Sequence, residues 1–482
     1  MSEHIAIEQL EPQSIWKNFS ALNAVPRPSK KEEGVIAFMK SFGENLGLET
    51  SEDAAGNVII KKPASPGMEG RPTVILQSHL DMVHQKNADT DFDFESQGIQ
   101  MFIDGDWVKA KGTTLGADNG MGVAATMAVL ESTTLAHPPI EALFTIDEET
   151  GMTGAKGLEP GQLDGKILLN LDTEEDDTIS IGCAGGVDTN TYMIFTQESF
   201  AGQAEAFELK VRGLKGGHSG MDINLGRGNA NKMMVRLLYQ LDARIASFDG
   251  GSLRNAIPRE ATAVVVVKTE NQEIFKADFE ARKNEIVEEY ASIEPELSIE
   301  MASTDMPHLV MELDSQYKII NALYAVHNGV WRMSPAIPDL VETSSSLARV
   351  IIEDGEFITQ SLQRSALESG KQDVANAIRA TFENIGVNVE NDGDYPGWAP
   401  NPSSAVLTQI KGIYEEMFGE KPDAKAYHAG LECGIIGSHY PGLDMVSIGP
   451  NIRHAHSPDE KVSISSVQKF WSYLVAILAK IR

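Results

Sequence analysis

Cysteine is scarce in this sequence. Its 482 residues include two, Cys183 and Cys433. Two cysteines cannot build the disulfide framework of a small secreted domain, so we expect buried thiols in a reducing compartment. Neither has a recognisable base partner in the sequence, and a nucleophilic role for either is therefore not expected.

Basic residues are also few. Forty Lys and Arg stand against 70 Asp and Glu, which gives a formal net charge of −30. A surface of this charge repels phosphate backbones and anionic lipid headgroups, and the sequence shows no basic patch. We therefore expect no nucleic acid and no membrane among the partners. Apolar residues make up 42% and charged residues 23%, which is typical of a globular protein.

Long apolar runs are absent too. The sequence contains no stretch of about 18 apolar residues, so no transmembrane helix is expected. The N-terminal residues lack the basic and apolar regions of a signal peptide. Together these absences predict a cytoplasmic protein.

Short apolar segments alternate with helical patterns along the chain. TVILQSHLDMV, IEALFTIDEETG and KILLNLDTEEDD each begin as a buried strand and end in acidic or imidazole side chains. Strands of this kind, separated by helices, indicate an α/β fold with a mostly parallel sheet flanked by helices. In such folds the chemistry lies beyond the carboxyl ends of the strands.

The middle of the chain has a different pattern. Between residues 189 and 392, strands alternate with charged amphipathic helices, as in an α+β domain, and catalytic-type residues are sparse. The connector NDGDYPGWAPNPSS, rich in Gly, Pro and Asn, follows. We therefore predict a discontinuous catalytic domain, residues 1–188 and 393–482, interrupted by an inserted lid domain, residues 189–392.

Five segments carry acidic or imidazole groups at predicted strand ends. Each is weak evidence alone, because His-x-Asp occurs by chance and adjacent Glu residues usually form a solvated turn. Together they suit a pair of divalent metals, in which one carboxylate bridges the ions and further carboxylates act as general base and as orienting partner of a His ligand. The segments are His79-Leu80-Asp81, Asp118-Asn119, Glu148-Glu149, Asp172 and His454-Ala455-His456.

A series of motifs continues this pattern through nearly the whole chain. In chain order they are LQSHLDMV, KGTTLGADNGMG, DEETGMTGAKGL, LLNLDTEE, GCAGG, LKGGHSG, LRNAIPRE, HAGLECG, SIGP and HSPDE. With these motifs the sequence resembles the M20 metallopeptidase family. The form TLGADNG favours its aminoacyl-histidine (Xaa-His) dipeptidase branch.

The resemblance implies two zinc ions that share a bridging carboxylate, Asp118. The implied ligands are His79, Asp118 and Asp172 for one ion, and Asp118, Glu149 and His456 for the other. His454 is close enough in sequence to ligate instead, but the family pattern places the ligand directly before Ser-Pro-Asp-Glu. Family members also tend to have a cis peptide after the bridging aspartate, here Asp118-Asn119.

The resemblance also implies roles around the metals. Glu148 corresponds to the general base, Asp81 to the carboxylate that orients a ligand, and His218 to a contributor from the inserted domain to oxyanion stabilisation. The residues implied in substrate binding are Asn255, Arg364, Gly430 and Glu432. Arg364 and Glu432 also have purely structural interpretations. An Arg at a strand end is often a surface charge, and an acid at the start of a helix can interact favourably with the helix dipole.

The implied activity is dinuclear-zinc hydrolysis of unblocked dipeptides, favouring Xaa-His (carnosine-like) substrates, by a metal-bound water that Glu148 activates. Mn²⁺ or Co²⁺ would suit similar ligands. An aminoacylase or tripeptidase of the same family is the alternative, since pocket residues set the substrate. An inactive peptide-binding homologue or a zinc-storage protein is disfavoured by the presence of the base.

The inserted block is about twice as long as the single ferredoxin-like unit that dimerises in many family members. It could therefore contain two such units that pair with each other within one chain. Alternatively, the inserted blocks of two chains could pair in a homodimer. The sequence leaves both open.

Overall fold

The computed structural model describes residues 6–482, and its chain divides into two compact units. The first unit comprises the chain up to Gly182, Pro400–Ala426 and Leu431–Arg482. The second comprises Cys183–Ala399 and the short segment Tyr427–Gly430. These limits differ by several residues from 188/189 and 392/393, and the domain assignment itself stays a prediction.

Eleven α-helices lie within the described residues. They are α1 (Gln13–Asn23), α2 (Glu33–Asn45), α3 (Ala117–Glu131), α4 (Thr153–Gly157), α5 (Ala230–Leu238), α6 (Gln272–Tyr290), α7 (Leu313–Ala325), α8 (Glu368–Glu383), α9 (Ala405–Phe418), α10 (Glu432–His439) and α11 (Ile464–Lys480).

The strands of the first half of the chain are β1 (Glu49–Glu52), β2 (Val58–Lys62), β3 (Val74–His79), β4 (Met101–Asp104), β5 (Trp107–Ala110), β6 (Ile140–Thr145), β7 (Ile167–Asn170), β8 (Thr178–Cys183), β9 (Gly185–Ile194), β10 (Gln197–Glu198) and β11 (Ala204–Arg212). Those that follow are β12 (Arg244–Gly250), β13 (Ala261–Lys268), β14 (Ser298–Thr304), β15 (Val310–Met311), β16 (Gly329–Met333), β17 (Val341–Glu353), β18 (Glu356–Ser365), β19 (Asn388–Tyr395), β20 (Asp423–Tyr427), β21 (Asp444–Ser447), β22 (Ile452–Arg453) and β23 (Lys461–Ser463).

The first unit is built on an eight-stranded sheet in the order β1-β2-β6-β3-β7-β21-β8-β20. The central pairs β6/β3, β3/β7 and β7/β21 are parallel, whereas β1/β2, β2/β6 and β21/β8 are antiparallel. The predicted α/β class is thus confirmed, and the sheet is parallel at its centre and antiparallel toward its edges.

Burial explains the central strands. All six residues of β3 and all six of β6 are buried, as expected for strands covered on both faces. On one side, apolar residues of α1, α2 and α3, such as Leu22, Met39 and Val123, pack into a cluster with Ile60 and Phe144 of the sheet. The helices thereby cover one face of the sheet.

Helix α3 approaches the sheet closely because its sequence is rich in small residues. A Cβ atom at Gly122 would lie 2.5 Å from the carbonyl oxygen of Leu171, which directly follows β7. Glycine therefore permits a helix–strand distance that any side chain would prevent. This contact places the N-terminal end of α3 beside the residues after β7.

The second unit is built on a sheet in the order β14-β11-β13-β12-β17-β18-β9-β19, with β16 added on β17. All its pairs are antiparallel. In chain order β11-α5-β12-β13-α6-β14 forms one βαββαβ half, and β9, α7, β17, β18, α8 and β19 form another with the corresponding strand order. The predicted α+β lid fold with ferredoxin-like character is confirmed, and two such halves share one sheet within the chain.

Two smaller sheets complete the strands. One has the order β22-β23-β5-β4 and the other pairs β10 with β15. Among the described residues, no helix is both long enough and apolar enough to span a membrane.

Candidate metal centre

The ends of three neighbouring parallel strands supply much of the centre. β3 ends at His79, and the chain after β6 and β7 leads to Glu148, Glu149 and Asp172. Because β6, β3 and β7 run parallel and adjacent, the segments that follow them leave the sheet at one edge. His79, Glu148, Glu149 and Asp172 therefore lie at one edge of the sheet. Asp118 does not follow a strand end as expected but lies at the start of α3, and His456 follows β22 of a separate sheet.

Asp118 lies between two imidazoles. Its Oδ1 is 3.2 Å from Nε2 of His79, and its Oδ2 is 3.2 Å from Nε2 of His456. Asp118 and Asn119 depart from helical dihedral angles near the start of α3, and the peptide bond between them is cis, as the resemblance implies. A carboxylate with one oxygen toward each imidazole has the arrangement that a bridging ligand requires.

Three overlapping groups of side chains could each hold a metal ion, with all potential ligand atoms of a group within 4.8 Å of one another. The groups are His79, Asp118 and Asp172; Asp118, Glu149 and His456; and His79, Glu148 and Glu149. The first two coincide with the ligand sets that the resemblance implies. These groups of the described residues include His456 and not His454.

The donors fit a divalent metal. They are imidazole nitrogens and carboxylate oxygens, which Zn²⁺ accepts. Oε1 of Glu149 is buried and finds no hydrogen-bond partner among the described residues. A buried carboxylate oxygen without a partner is costly, and a cation at this point would satisfy it.

The acidic and imidazole groups of the centre shift one another's pKa values. Burial acts against ionisation of Asp118, but the hydrogen bonds of His456 and His79 hold its pKa well below the usual range. The hydrogen bonds to Asp118 and Glu149 raise the pKa of His456 to about 11. Burial raises the pKa of Asp172 to about 7. The cluster thus contains closely packed acids, and a nearby positive charge would stabilise their ionised forms.

Asp81 is fully buried beside His79. Its Oδ1 is 3.3 Å from Nδ1 of His79 and accepts the backbone N–H of Glu148 at 3.0 Å. Its Oδ2 accepts the hydroxyl of Ser29 at 2.8 Å and the backbone N–H of Glu149 at 3.2 Å. One carboxylate therefore fixes the ring of a potential ligand and the backbone of both glutamates.

Glu148 is half-buried at the same strand end. Burial, followed by the charges of Glu149 and Asp172, raises its pKa well above the usual value, against the opposing attraction of His79. A carboxylate with a raised pKa holds a proton more readily at neutral pH, which suits a group that accepts and returns one.

One residue beside the centre and one within it have left-handed backbone conformations. Asp147, directly before Glu148, has φ of 53°, and His456 has φ of 64°. Such angles are uncommon for residues other than glycine and are concentrated at functional sites. The side chain of Asp147 supports its turn by accepting hydrogen bonds from the hydroxyls of Thr150 and Thr153.

His218 lies in the second unit. Its Nδ1 accepts the backbone N–H groups of Gly220 and Met221 at 3.1 and 3.0 Å. Burial, together with the charge of Arg364, lowers the pKa of His218 to about 4. The ring is therefore neutral at pH 7 and carries its proton on Nε2, which makes that atom a hydrogen-bond donor.

The predicted substrate residues have different environments. Arg364 is buried, donates from Nη1 to the hydroxyl of Tyr395 at 2.9 Å, and has an Nε without a partner among the described residues. Asn255 is exposed, and Gly430 is half-buried in the second unit. Glu432 belongs to the first unit and has no exposed surface. These roles are not tested by the structure and stay predictions.

Glu432 supports the sheet. Its Oε2 accepts hydrogen bonds from Gln77 of β3 and Thr145 of β6, both at 2.6 Å. Burial raises its pKa to about 8. The alternative of a structural acid at the start of α10 therefore has specific contacts in its favour.

Several buried polar residues under the centre were not among the predicted site residues. Ser29 binds Asp81, Arg27 binds backbone carbonyls of two segments, and Glu460 accepts backbone N–H groups before Asp118. Glu460 ends the HSPDE motif that begins with the predicted ligand His456, so the motif itself could have marked Glu460. Arg27 lies in the turn VPRPS, where no local pattern marks it.

Metal-dependent hydrolases combine paired sets of metal ligands with a further carboxylate beside them. The fold and the centre therefore define a metal-dependent hydrolase. Comparison with protein families then identifies the family. Residues 75–480 match the model of peptidase family M20/M25/M40, and the chain belongs to that family.

Individual relatives agree with this assignment. The chain is 41% identical to the cytosol non-specific dipeptidase of Escherichia coli K12, over 98% of this chain and 99% of that protein. It is 44% identical to the aminoacylhistidine dipeptidase structure from Vibrio alginolyticus, with a TM-score of 0.92 and 99% of each chain covered. The prediction of a metallopeptidase is thus confirmed.

A more distant structure shows how far the fold extends. Aminopeptidase PepT from Bacillus cereus is 17% identical, with a TM-score of 0.56 and 98% of each chain covered. At this identity the likeness concerns the fold alone.

Proposed function

We propose that this protein is a dinuclear-zinc dipeptidase that hydrolyses unblocked dipeptides and favours Xaa-His, carnosine-like substrates. The observation that carries the proposal is the placement of Asp118 between His79 and His456, with Asp172 and Glu149 completing two overlapping ligand groups. Amide hydrolysis needs a polarised carbonyl, an activated water and a proton for the leaving amine. The centre and its neighbours offer groups for each requirement.

His79, Asp118 and Asp172 would hold one ion, and Asp118, Glu149 and His456 the other. Two divalent ions, when bound, supply Lewis acidity that polarises the scissile carbonyl and lowers the pKa of the attacking water. Zinc suits these donors, although Mn²⁺ and Co²⁺ are also compatible with them.

Glu148 is the proposed general base. It accepts the proton of the attacking water and returns it to the leaving amine. Asp81 keeps His79 in one orientation and holds the Glu148 backbone in place through the N–H bond at 3.0 Å. The base and the ligands are therefore positioned by one buried carboxylate.

His218 is the proposed donor to the oxyanion. Its two backbone hydrogen bonds at Nδ1 leave the proton on Nε2, as a donor role requires. Arg364, with its unpartnered Nε, suits the carboxylate of a dipeptide, and Asn255 and Gly430 are proposed as further contacts. A direct contact between Glu432 and the substrate stays a prediction. The complete burial of Glu432 argues against such a contact.

The full-length relatives support dipeptides as the substrate class. One is named a non-specific dipeptidase and the other an aminoacylhistidine dipeptidase, so they agree on the length of the substrate and differ on its second residue. The relative named as cytosolic supports a cytoplasmic location for this chain. Small peptides are the proposed partners; association into a homodimer is a further prediction that sedimentation would test.

A substrate screen tests the proposal. The zinc-loaded protein is assayed with dipeptides that share an N-terminal residue and vary at the C-terminal one, with β-alanyl-histidine, with tripeptides and with N-acetyl amino acids. The proposal predicts release of free histidine from unblocked Xaa-His dipeptides at the highest kcat/KM. Preferential hydrolysis of N-acetyl amino acids or tripeptides would instead support the aminoacylase or tripeptidase alternative.

A further inference from the structure

Beneath the metal centre, two buried residues of opposite charge bind the backbone of the segment before Asp118. Arg27 is 1% exposed and Glu460 is 2% exposed. Both belong to the first unit, and neither belongs to the ligand groups of the described residues. A buried charge needs an extensive set of hydrogen bonds, so their partners indicate what they stabilise.

Glu460 binds four consecutive backbone N–H groups. Its Oε2 accepts from Leu115 and Gly116 at 2.7 and 3.0 Å, and its Oε1 accepts from Ala117 and Asp118 at 2.8 and 3.2 Å. Glu460 also lies in the HSPDE motif that begins with His456. Its carboxylate therefore ties the segment that carries one potential ligand to the segment that carries another.

Arg27 binds the same loop from its carbonyl side. Its Nη2 donates to the carbonyl of Gly116 at 2.7 Å, and its Nη1 donates to the carbonyls of Leu80 and Asp81 at 3.0 and 3.1 Å. Leu80 and Asp81 directly follow His79. The guanidinium thus joins the segment of a third potential ligand to the loop before Asp118.

Gly116 lies at the centre of this arrangement. Its N–H binds Glu460 and its carbonyl binds Arg27. It has φ of 69°, and a Cβ atom there would lie 2.5 Å from Nη2 of Arg27. Only glycine combines this backbone conformation with so close an approach of the guanidinium.

We propose that Arg27 and Glu460 form a clamp that positions the backbone of the three ligand-bearing segments at His79, Asp118 and His456. Both are positioning residues, since they act through the backbone and touch no reacting atom. The inference rests on the proposed metal function. It assigns to these two residues the preorganisation that lets separate chain segments present ligands in one geometry.

The test measures zinc affinity in the metal-free full-length protein by competition with a chromophoric chelator. In Glu460→Gln, the amide nitrogen would face backbone N–H groups, so we expect zinc binding to weaken by about 10–100-fold and kcat at saturating zinc to fall, with KM little changed. Arg27→Lys keeps the charge but cannot reach all its carbonyls, and should change zinc affinity in the same direction.

Glu141→Gln is the matched control. Glu141 is also 2% exposed and lies in the same unit, where it accepts the backbone N–H groups of Asp164 and Gly165 at the other end of β6. It should leave zinc affinity at the wild-type value. Equal losses in Glu460→Gln and Glu141→Gln, or no loss in Glu460→Gln, would overturn the clamp.

A measurement on the wild type remains decisive if the variants fail to fold. In the metal-free protein, the amides of residues 115–118 should exchange slowly with deuterium, because the clamp holds them without metal. Fast exchange there would overturn the proposal. Failure of the wild type to bind zinc would contradict the proposed function instead, whereas a zinc-binding wild type with an unaffected Glu460→Gln variant would contradict only the clamp.

Discussion

At the scale of single residues, the centre depends on carboxylates with several partners each. Asp118 faces two imidazoles, and Asp81 contacts His79, Ser29 and the backbone of both glutamates. The roles of such residues follow from their contacts more than from their type, because all are acids. A substitution of Glu148 distinguishes a general base from a metal ligand. A substitution of Asp81 distinguishes a residue that orients a ligand from one that only stabilises the fold.

Glu148→Gln tests the base. Glutamine has the same shape but cannot accept the proton of water, so turnover should fall by at least about 10²–10⁴-fold while zinc stoichiometry stays unchanged. Steady-state kinetics and metal analysis of the dialysed protein measure the two quantities. Because Glu148 also forms a potential ligand group with His79 and Glu149, loss of one zinc per chain in this variant would make it a ligand rather than a base.

Asp81→Asn tests the orienting carboxylate. An amide nitrogen at this position would oppose N–H groups of Glu148 and Glu149, so zinc affinity or turnover should fall by about 10–100-fold. Asp53→Asn is the control, because Asp53 also accepts backbone N–H groups in a turn, at 2.9 and 2.8 Å from Ala55 and Asn57. Equal effects of the two substitutions on zinc binding would rule out a specific role for Asp81.

At the scale of elements, local patterns predicted strands better than they predicted pairing. β3, β6 and β7 could be recognised because each is a continuous apolar run that ends in polar residues. The insertion of β21 between β7 and β8 could not, because pairing between distant segments leaves no local trace. The contacts of the polar residues beneath the centre could not be predicted for the same reason. Arg27 and Ser29 meet their partners only in the folded chain.

The close contact of α3 with the sheet gives a prediction at this scale. Gly122→Ala would force a Cβ against the carbonyl of Leu171, so we expect destabilisation by about 1–3 kcal/mol, as for other overpacked cores. Gly412 in α9 is the control, because a Cβ there meets nothing within 4 Å. Gly412→Ala should stabilise the protein by about 0.5–1 kcal/mol.

Thermal or denaturant unfolding of the two variants measures both effects. A wild-type stability for Gly122→Ala would show that the helix can move away without cost, and would remove the steric reason for this glycine.

At the scale of the whole molecule, the net charge of −30 says little about the centre. The proposed centre uses five of the 70 acids, Asp81, Asp118, Glu148, Glu149 and Asp172. Several other acids, among them Glu141, Glu432 and Glu460, are buried as well. The second unit contains two βαββαβ halves that pair through β12 and β17, so one chain supplies both members of that pair.

His218 tests whether the second unit takes part in the chemistry. If its Nε2–H donates to the oxyanion, His218→Ala should lower kcat by about 10²–10³-fold with zinc content unchanged, as when one oxyanion donor is lost. His308→Ala, at an exposed histidine of the same unit, is the control and should retain wild-type kinetics. A wild-type kcat for His218→Ala would exclude His218 from the reaction.

The most direct test of the central claim is reconstitution of the metal-free protein with zinc, followed through hydrolysis of an unblocked Xaa-His dipeptide. We predict that chelation abolishes turnover and that activity returns as zinc is added, reaching its maximum at two ions per chain. Full turnover by the metal-free protein, or a maximum at a single ion, would contradict a dinuclear centre built on Asp118.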